Sequence, residues 1–142
     1  MRLSTLLLAA SFGGFTSAAP SKEPAELAER SIEKRACFKK GRSFGPYKDL
    51  ALNSAEFWCK SYYEGDYKKG KVYPKKDTLA LANKPKLCIE FKIGLTGPNA
   101  PATKRLKWQE CLSGFESEIR SCGKGGQTTY GNWYYRVDPN DC

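Results

Sequence analysis

The chain predicts an α+β fold: an antiparallel sheet covered by helices and stapled by disulfides. Three observations predict it. All six cysteines lie in one stretch, at Cys37, Cys59, Cys88, Cys111, Cys122 and Cys142, after a Lys34-Arg35 dipeptide. Two segments carry apolar residues at helical spacing, and two carry the alternation of half-buried strands. The order is helix, a segment of unclear pattern, strand, helix, strand, which suits helices packed on an antiparallel sheet.

The first 35 residues stand apart. Arg2 followed by the apolar run Leu6, Leu7, Leu8, Ala9, Ala10 and Phe12, then small residues through Ala19, reads as a signal peptide over 1–19. Residues 20–35 are rich in Glu, Ala and Lys and hold too little apolar surface to fold alone. They end in Lys34-Arg35, which resembles the dibasic site of furin-like processing enzymes. The expectation is a pro-region over 20–35, cut after Arg35, and a secreted, extracellular domain over 36–142. Removing five of the 24 basic and four of the 15 acidic residues leaves 19 and 11, a net charge of +8. No stretch reaches the roughly 20 apolar residues of a membrane-spanning helix.

A domain of this size builds only a modest core, and disulfides in an oxidising compartment compensate. The cysteines are separated by 21, 28, 22, 10 and 19 residues, with no C-x-x-C and no histidine anywhere, which argues against a metal site and implies no cofactor. Cys122 and Cys142 flank one helix-end, strand and turn unit, so the expected pairing joins them. The other four cysteines allow three pairings.

Within 36–142, Gly45-Pro46 punctuates the chain before a helix over about 47–60. Tyr47, Leu50, Ala51, Ser54, Phe57 and Trp58 form its face. Residues 61–86 interleave Tyr62, Tyr63, Tyr67 and Tyr73 with lysines, glycines and prolines, and read as an irregular, solvated hairpin and loop, with an aromatic and basic binding surface as the alternative. Leu87, Ile89, Phe91 and Ile93 alternate with Cys88, Glu90 and Lys92 as a strand with one apolar face. Residues 103–121 read as a helix capped by Thr103, with Trp108, Leu112, Phe115 and Ile119 at spacings of 4, 3 and 4, stopped by Gly123, Gly125 and Gly126. Residues 128–138 read as one strand with Trp133, Tyr135 and Val137 on one face and Tyr134, Arg136 and Asp138 on the other. A turn at Asp138-Pro139-Asn140 then precedes Cys142.

The run Cys111-Leu-Ser-Gly-Phe-Glu-Ser-Glu-Ile-Arg-Ser-Cys122, the glycines at 123–126, and Trp133-Tyr-Tyr-Arg-Val-Asp-Pro-Asn-Asp-Cys142 resemble small secreted fungal cysteine-rich proteins of the mushroom Y-three glycan-binding family. The match covers 32 of 142 residues, all within the C-terminal third, and Asp141 stands where those proteins usually have a glycine. The resemblance implies an α/β/α sandwich around an antiparallel sheet, carbohydrate binding, and a homodimer formed through sheet edges.

The chemistry narrows the function. Without histidine the chain lacks the commonest general base, and six paired cysteines leave no thiol nucleophile. Glu116 and Glu118 are two apart on a helix, so they diverge, and both read as solvated surface. No phosphate-binding glycine motif is present. The chain therefore reads as a non-enzyme. Sugar rings pack on aromatic faces and their hydroxyls want planar polar partners. Trp133, Tyr134, Arg136, Asp138 and Asn140 hold those types together as a candidate glycan-binding set, although Trp133 and Tyr135 equally suit the core face of the last strand. The basic charge also suits an anionic surface, while lysines spread along the chain disfavour nucleic acid. Two alternatives follow: a cationic antimicrobial or killer-type toxin acting on membranes or competing cells, and a small hydrolase whose site the sequence does not display.

Overall fold

The computed structural model describes residues 35–142. The signal-peptide and pro-region readings lie outside the described residues, Arg35 excepted. The elements are β1 (Ala36–Cys37), α1 (Lys48–Trp58), β2 (Gly65–Lys68), β3 (Val72–Leu79), β4 (Leu87–Leu95), β5 (Thr103–Leu106), α2 (Trp108–Ser121), β6 (Gly126–Tyr130) and β7 (Trp133–Asp141). A 3-10 turn, Gly45–Tyr47, leads into α1, and a π turn, Cys59–Tyr63, follows it. The fold is α+β with three disulfides, as its class predicts.

Five strands form one antiparallel sheet in the order β1-β6-β7-β4-β3, and β2 pairs with β5 in a separate ribbon. On β4 the alternation holds to the residue: Leu87, Ile89, Phe91 and Ile93 are buried while Cys88, Glu90 and Lys92 are half-buried. Trp133, Tyr135 and Val137 continue the same inner face on β7. Both helices cover that face. The Phe115 ring of α2 packs against Phe91 and Tyr135, at centroid distances of 5.2 and 5.8 Å. The α1 side chains Ser54 and Trp58 donate hydrogen bonds to Asp77 of β3, which is in register with Ile89. Among the described residues the opposite face carries no helix, so the sandwich is one-sided. Gly114 of α2 lies over Tyr135, and a Cβ there would fall 2.2 Å from the ring, so the close helix–sheet approach requires glycine.

Several expectations shift. The buried stripe of α1 is Ala51, Ser54, Ala55 and then Cys59, small residues that let the helix approach closely, and Phe57 instead faces solvent at 58 % exposure. The span 61–86 is more regular than its composition suggests: it holds β2 and the eight-residue β3. Thr103 caps no helix. It opens β5, paired residue by residue with Gly65–Lys68, and α2 begins at Trp108. The stretch 128–138 is two strands, because Gly131, at φ +61°, and Asn132 make a two-residue hairpin between Tyr130 and Trp133.

Asp138-Pro139-Asn140 is not a turn. β7 runs on to Asp141, with Pro139 opposite Ile89. The Pro139 ring atom bonded to nitrogen points toward Gly125, where β6 has not yet begun, so the missing N–H leaves no ladder bond unmade.

The expected Cys122–Cys142 bridge does not form. The pairs are Cys37–Cys122, Cys59–Cys111 and Cys88–Cys142. Strand direction is the reason. β7 carries the chain away from the end of α2 to the start of β4, where Asn140 is paired with Cys88. β1 meanwhile sets Cys37 opposite Gly126, beside Cys122.

Candidate binding site on the outer face of the sheet

The face turned away from the helices is built from every second residue of β3, β4, β6 and β7. Register aligns Lys76, Glu90 and Asp138 in one row, and Lys92, Arg136 and Gln127 in the next. Tyr134 and Thr129 follow in a third. Alternation alone places these side chains together, since the inner partners of the same strands fill the core.

The central polar groups, on Arg136, Asp138, Lys92 and Glu90, are half-buried and ion-paired, while Arg136 Nε is buried without a partner. An Arg136 guanidinium N–H donates to Asp138 Oδ2 at 2.6 Å, and the guanidinium stacks 4.8 Å from the centroid of Phe38. Burial pulls the Arg136 guanidinium down, but the hydrogen bond and charge of Asp138 outweigh this and hold it above its ordinary value. Lys92 pairs with Glu90 at 2.9 Å. The Tyr134 hydroxyl donates to Gln127 Oε1 at 3.1 Å, and Asn140 Nδ2 donates to the Asp138 carbonyl at 3.0 Å. Asp141 pairs with Arg42. At the end of the sheet an open groove of about 580 Å³ is lined by Lys76, Thr78, Glu90, Asn140 and Asp141, with the Cys88–Cys142 bridge beneath.

Of the five candidate residues, Tyr134, Arg136 and Asp138 share this face and Asn140 adjoins them. Trp133 does not belong with them. It is 1 % exposed on the inner face, its indole N–H donates to Glu110 Oε1 at 2.8 Å, and the Tyr67 ring meets it edge-on. A hydrogen-bonded, fully enclosed indole is a core residue and cannot touch a ligand. Tyr135 is also buried, its hydroxyl donating to the Glu110 carbonyl at 3.2 Å.

A second cavity, of about 310 Å³, lies between α2 and the β6–β7 hairpin, lined by Arg35, Glu110, Ser117, Glu118, Thr128 and Tyr130. Glu118, expected on the solvated surface, is buried there and paired with Arg35 at 3.2 Å. The signal was its place three residues after Phe115 and four before Cys122, on the apolar stripe itself. Glu116, by contrast, is partly exposed and pairs with Arg120. Among the described residues no helix is long and apolar enough to cross a membrane.

No protein-family model and no curated protein matches the chain. Among solved structures, the tandem DUF26 ectodomain of the cysteine-rich receptor-like protein PDLP8 from Arabidopsis thaliana is similar, with a TM-score of 0.42 and 11 % identity. The likeness covers 79 % of this chain and 50 % of that one, so this chain spans about half the length of that ectodomain.

Proposed function

We propose that this is a secreted, non-enzymatic glycan-binding protein whose ligand lies on the outer face of the sheet, from Tyr134 past Arg136 and Asp138 to the groove at Asn140. One observation carries the reading. Arg136, Asp138, Glu90 and Lys92 form two adjacent ion pairs on a rigid sheet, half-buried and already oriented. Neighbouring sugar hydroxyls need such planar donors and acceptors at fixed spacing, and preorganisation lowers the cost of binding. The Tyr134 ring supplies an apolar surface beside them. The resemblance of residues 111–142 to the Y-three proteins supports the same ligand class. Three disulfides with no free cysteine among the described residues fit an oxidising, extracellular setting.

Glycan-array screening of the oxidised protein, followed by calorimetry on the best ligand, tests the reading. Binding that survives raised salt, yields to free sugar and is lost in Asp138→Ala is expected. No binding above background at high micromolar protein removes the proposal.

A second reading has one observation in its favour. Phe57 and Tyr62 are 58 % and 47 % exposed, and Lys75 lies 4.4 and 4.5 Å above the Trp58 and Tyr62 rings. An aromatic patch with lysine at its edge, on a chain of net charge +9, suits an anionic membrane. Leakage from anionic vesicles that fades steeply with salt would favour a cationic toxin over a lectin.

A further inference from the structure

Among the described residues Glu118 is the one acid that the fold encloses. It is 1 % exposed, in a chain of net charge +9. Oε1 accepts a hydrogen bond from Arg35 Nε at 3.2 Å, and Oε2 is buried with no partner. The remaining Arg35 nitrogens donate to Ser121 Oγ, at 2.9 Å, and to Ser117 Oγ. Among the described residues Arg35 is the cation that pairs with this carboxylate. Glu110 lines the same cavity, but it is engaged by Lys104 and by the Trp133 indole.

Arg35 is also the residue after which a dibasic-specific endoprotease would cut. Hydrolysis breaks the bond between the Arg35 carbonyl carbon and the Ala36 nitrogen. Water supplies the hydroxyl to the carbonyl carbon and a proton to the amine, which takes up a further proton at neutral pH. Arg35 then departs with the upstream peptide, and a buried carboxylate left without its cation is strongly destabilising. The same cut creates a new cation at Ala36. Ala36 is held in place by β1, opposite Gln127, and by the adjacent Cys37–Cys122 bridge. The Ala36 carbonyl oxygen and Glu118 Oε2 lie 3.0 and 2.8 Å from the point where a Cβ on Gly126 would stand. Because that residue is glycine, its own side chain does not stand between the carboxylate and the β1 backbone, and the Cys122 sulfur lies 2.8 Å from the same point.

We propose that Glu118 is the acceptor for the amino terminus that cleavage after Arg35 creates, the Ala36 ammonium taking the place of the Arg35 guanidinium in the processed chain. The proposal rests on the Lys34-Arg35 cleavage reading and is independent of the glycan reading.

The oxidised full-length chain is cut in vitro with a dibasic-specific endoprotease, and mass spectrometry establishes Ala36 as the new terminus. The Ala36 amine is then titrated by NMR after reductive ¹³C-methylation, which keeps its charge. It titrates at least one pH unit above the ordinary α-amino range of about 7.7–8.0, and Glu118→Gln returns it to that range. Selective acetylation of the amine lowers the Tm of the wild-type chain and leaves Glu118→Gln unmoved. An amine in the ordinary range in the wild type overturns the proposal, as does an elevated value that Glu118→Gln leaves in place. If Glu118→Gln does not fold, the wild-type titration alone decides. A secreted species beginning near Ala19 or Pro20 removes the cleavage reading and overturns the proposal with it.

Discussion

The two faces of β7 contain the same kinds of side chain and use them in opposite ways. Inward, Trp133 and Tyr135 spend their polar atoms on Glu110 of α2 and are shut off from water. Outward, Tyr134, Arg136 and Asp138 make their side-chain hydrogen bonds to sheet neighbours and stay half-buried. The inner bonds fasten one layer to another and cannot be exchanged without opening the core. The outer bonds join neighbours on one rigid surface, where a ligand hydroxyl can replace or extend them. An aromatic, polar strand is thus at once a structural seam and a candidate binding surface, and residue parity separates the two roles.

The comparison breaks most readily from the inside. Trp133→Ala should cost about 3–5 kcal/mol in chemical denaturation, because it empties a large enclosed volume. Glycan affinity per folded molecule should barely change. A variant that folds normally and loses only binding would place Trp133 in the site after all.

Alkali tests the same side. Burial holds the Tyr63, Tyr67 and Tyr135 hydroxyls protonated well above the ordinary tyrosine value of 10.0. Their neutral form belongs to the folded state. Their contribution is fully present below about pH 10 and is lost as pH rises beyond it, where the unfolded chain ionises and the folded one does not. Above that point stability should fall by about 1.4 kcal/mol per pH unit for each such tyrosine. Absorbance titration should show these residues ionising only as near-UV circular dichroism collapses. Early, fully reversible ionisation of every tyrosine would contradict their enclosure.

The outer face should respond differently. Asp138→Ala removes the partner of a half-buried guanidinium and should cost about 1–2 kcal/mol, while abolishing most glycan binding. Tyr134→Ala should move stability least, within about 0.5 kcal/mol, and still weaken binding. If Tyr134→Ala unfolds the protein while Tyr135→Ala does not, the two faces have been assigned the wrong way round.

Much of this was legible in order and little of it in partnership. The alternation of β4 and β7 identified their core faces from sequence, because a period of two needs no knowledge of neighbours. The β5 strand was missed because Thr103–Leu106 carries no apolar pattern and exists by pairing with Gly65–Lys68. The hairpin was missed although Gly131-Asn132 announces a two-residue turn, since the aromatic residues around it read as one continuous strand. In the candidate site, side-chain type drew together Trp133, Tyr134, Arg136, Asp138 and Asn140, and strand parity separates Trp133 from the others. Their cross-strand companions Glu90, Lys92 and Lys76 depend on register, which no single strand discloses.

Two amphipathic helices, the apolar strands and six cysteines available for pairing are legible in the sequence alone. Local periodicity and side-chain chemistry are enough for that. The assembled fold is needed to show which cysteines meet, that both helices lie on one face of the sheet, and that Glu118 is enclosed with Arg35. Those outcomes depend on how segments 52 to 85 residues apart come together. Cys37 meets Cys122 at a separation of 85 residues because β1 closes the sheet against β6, a contact that neither segment encodes alone.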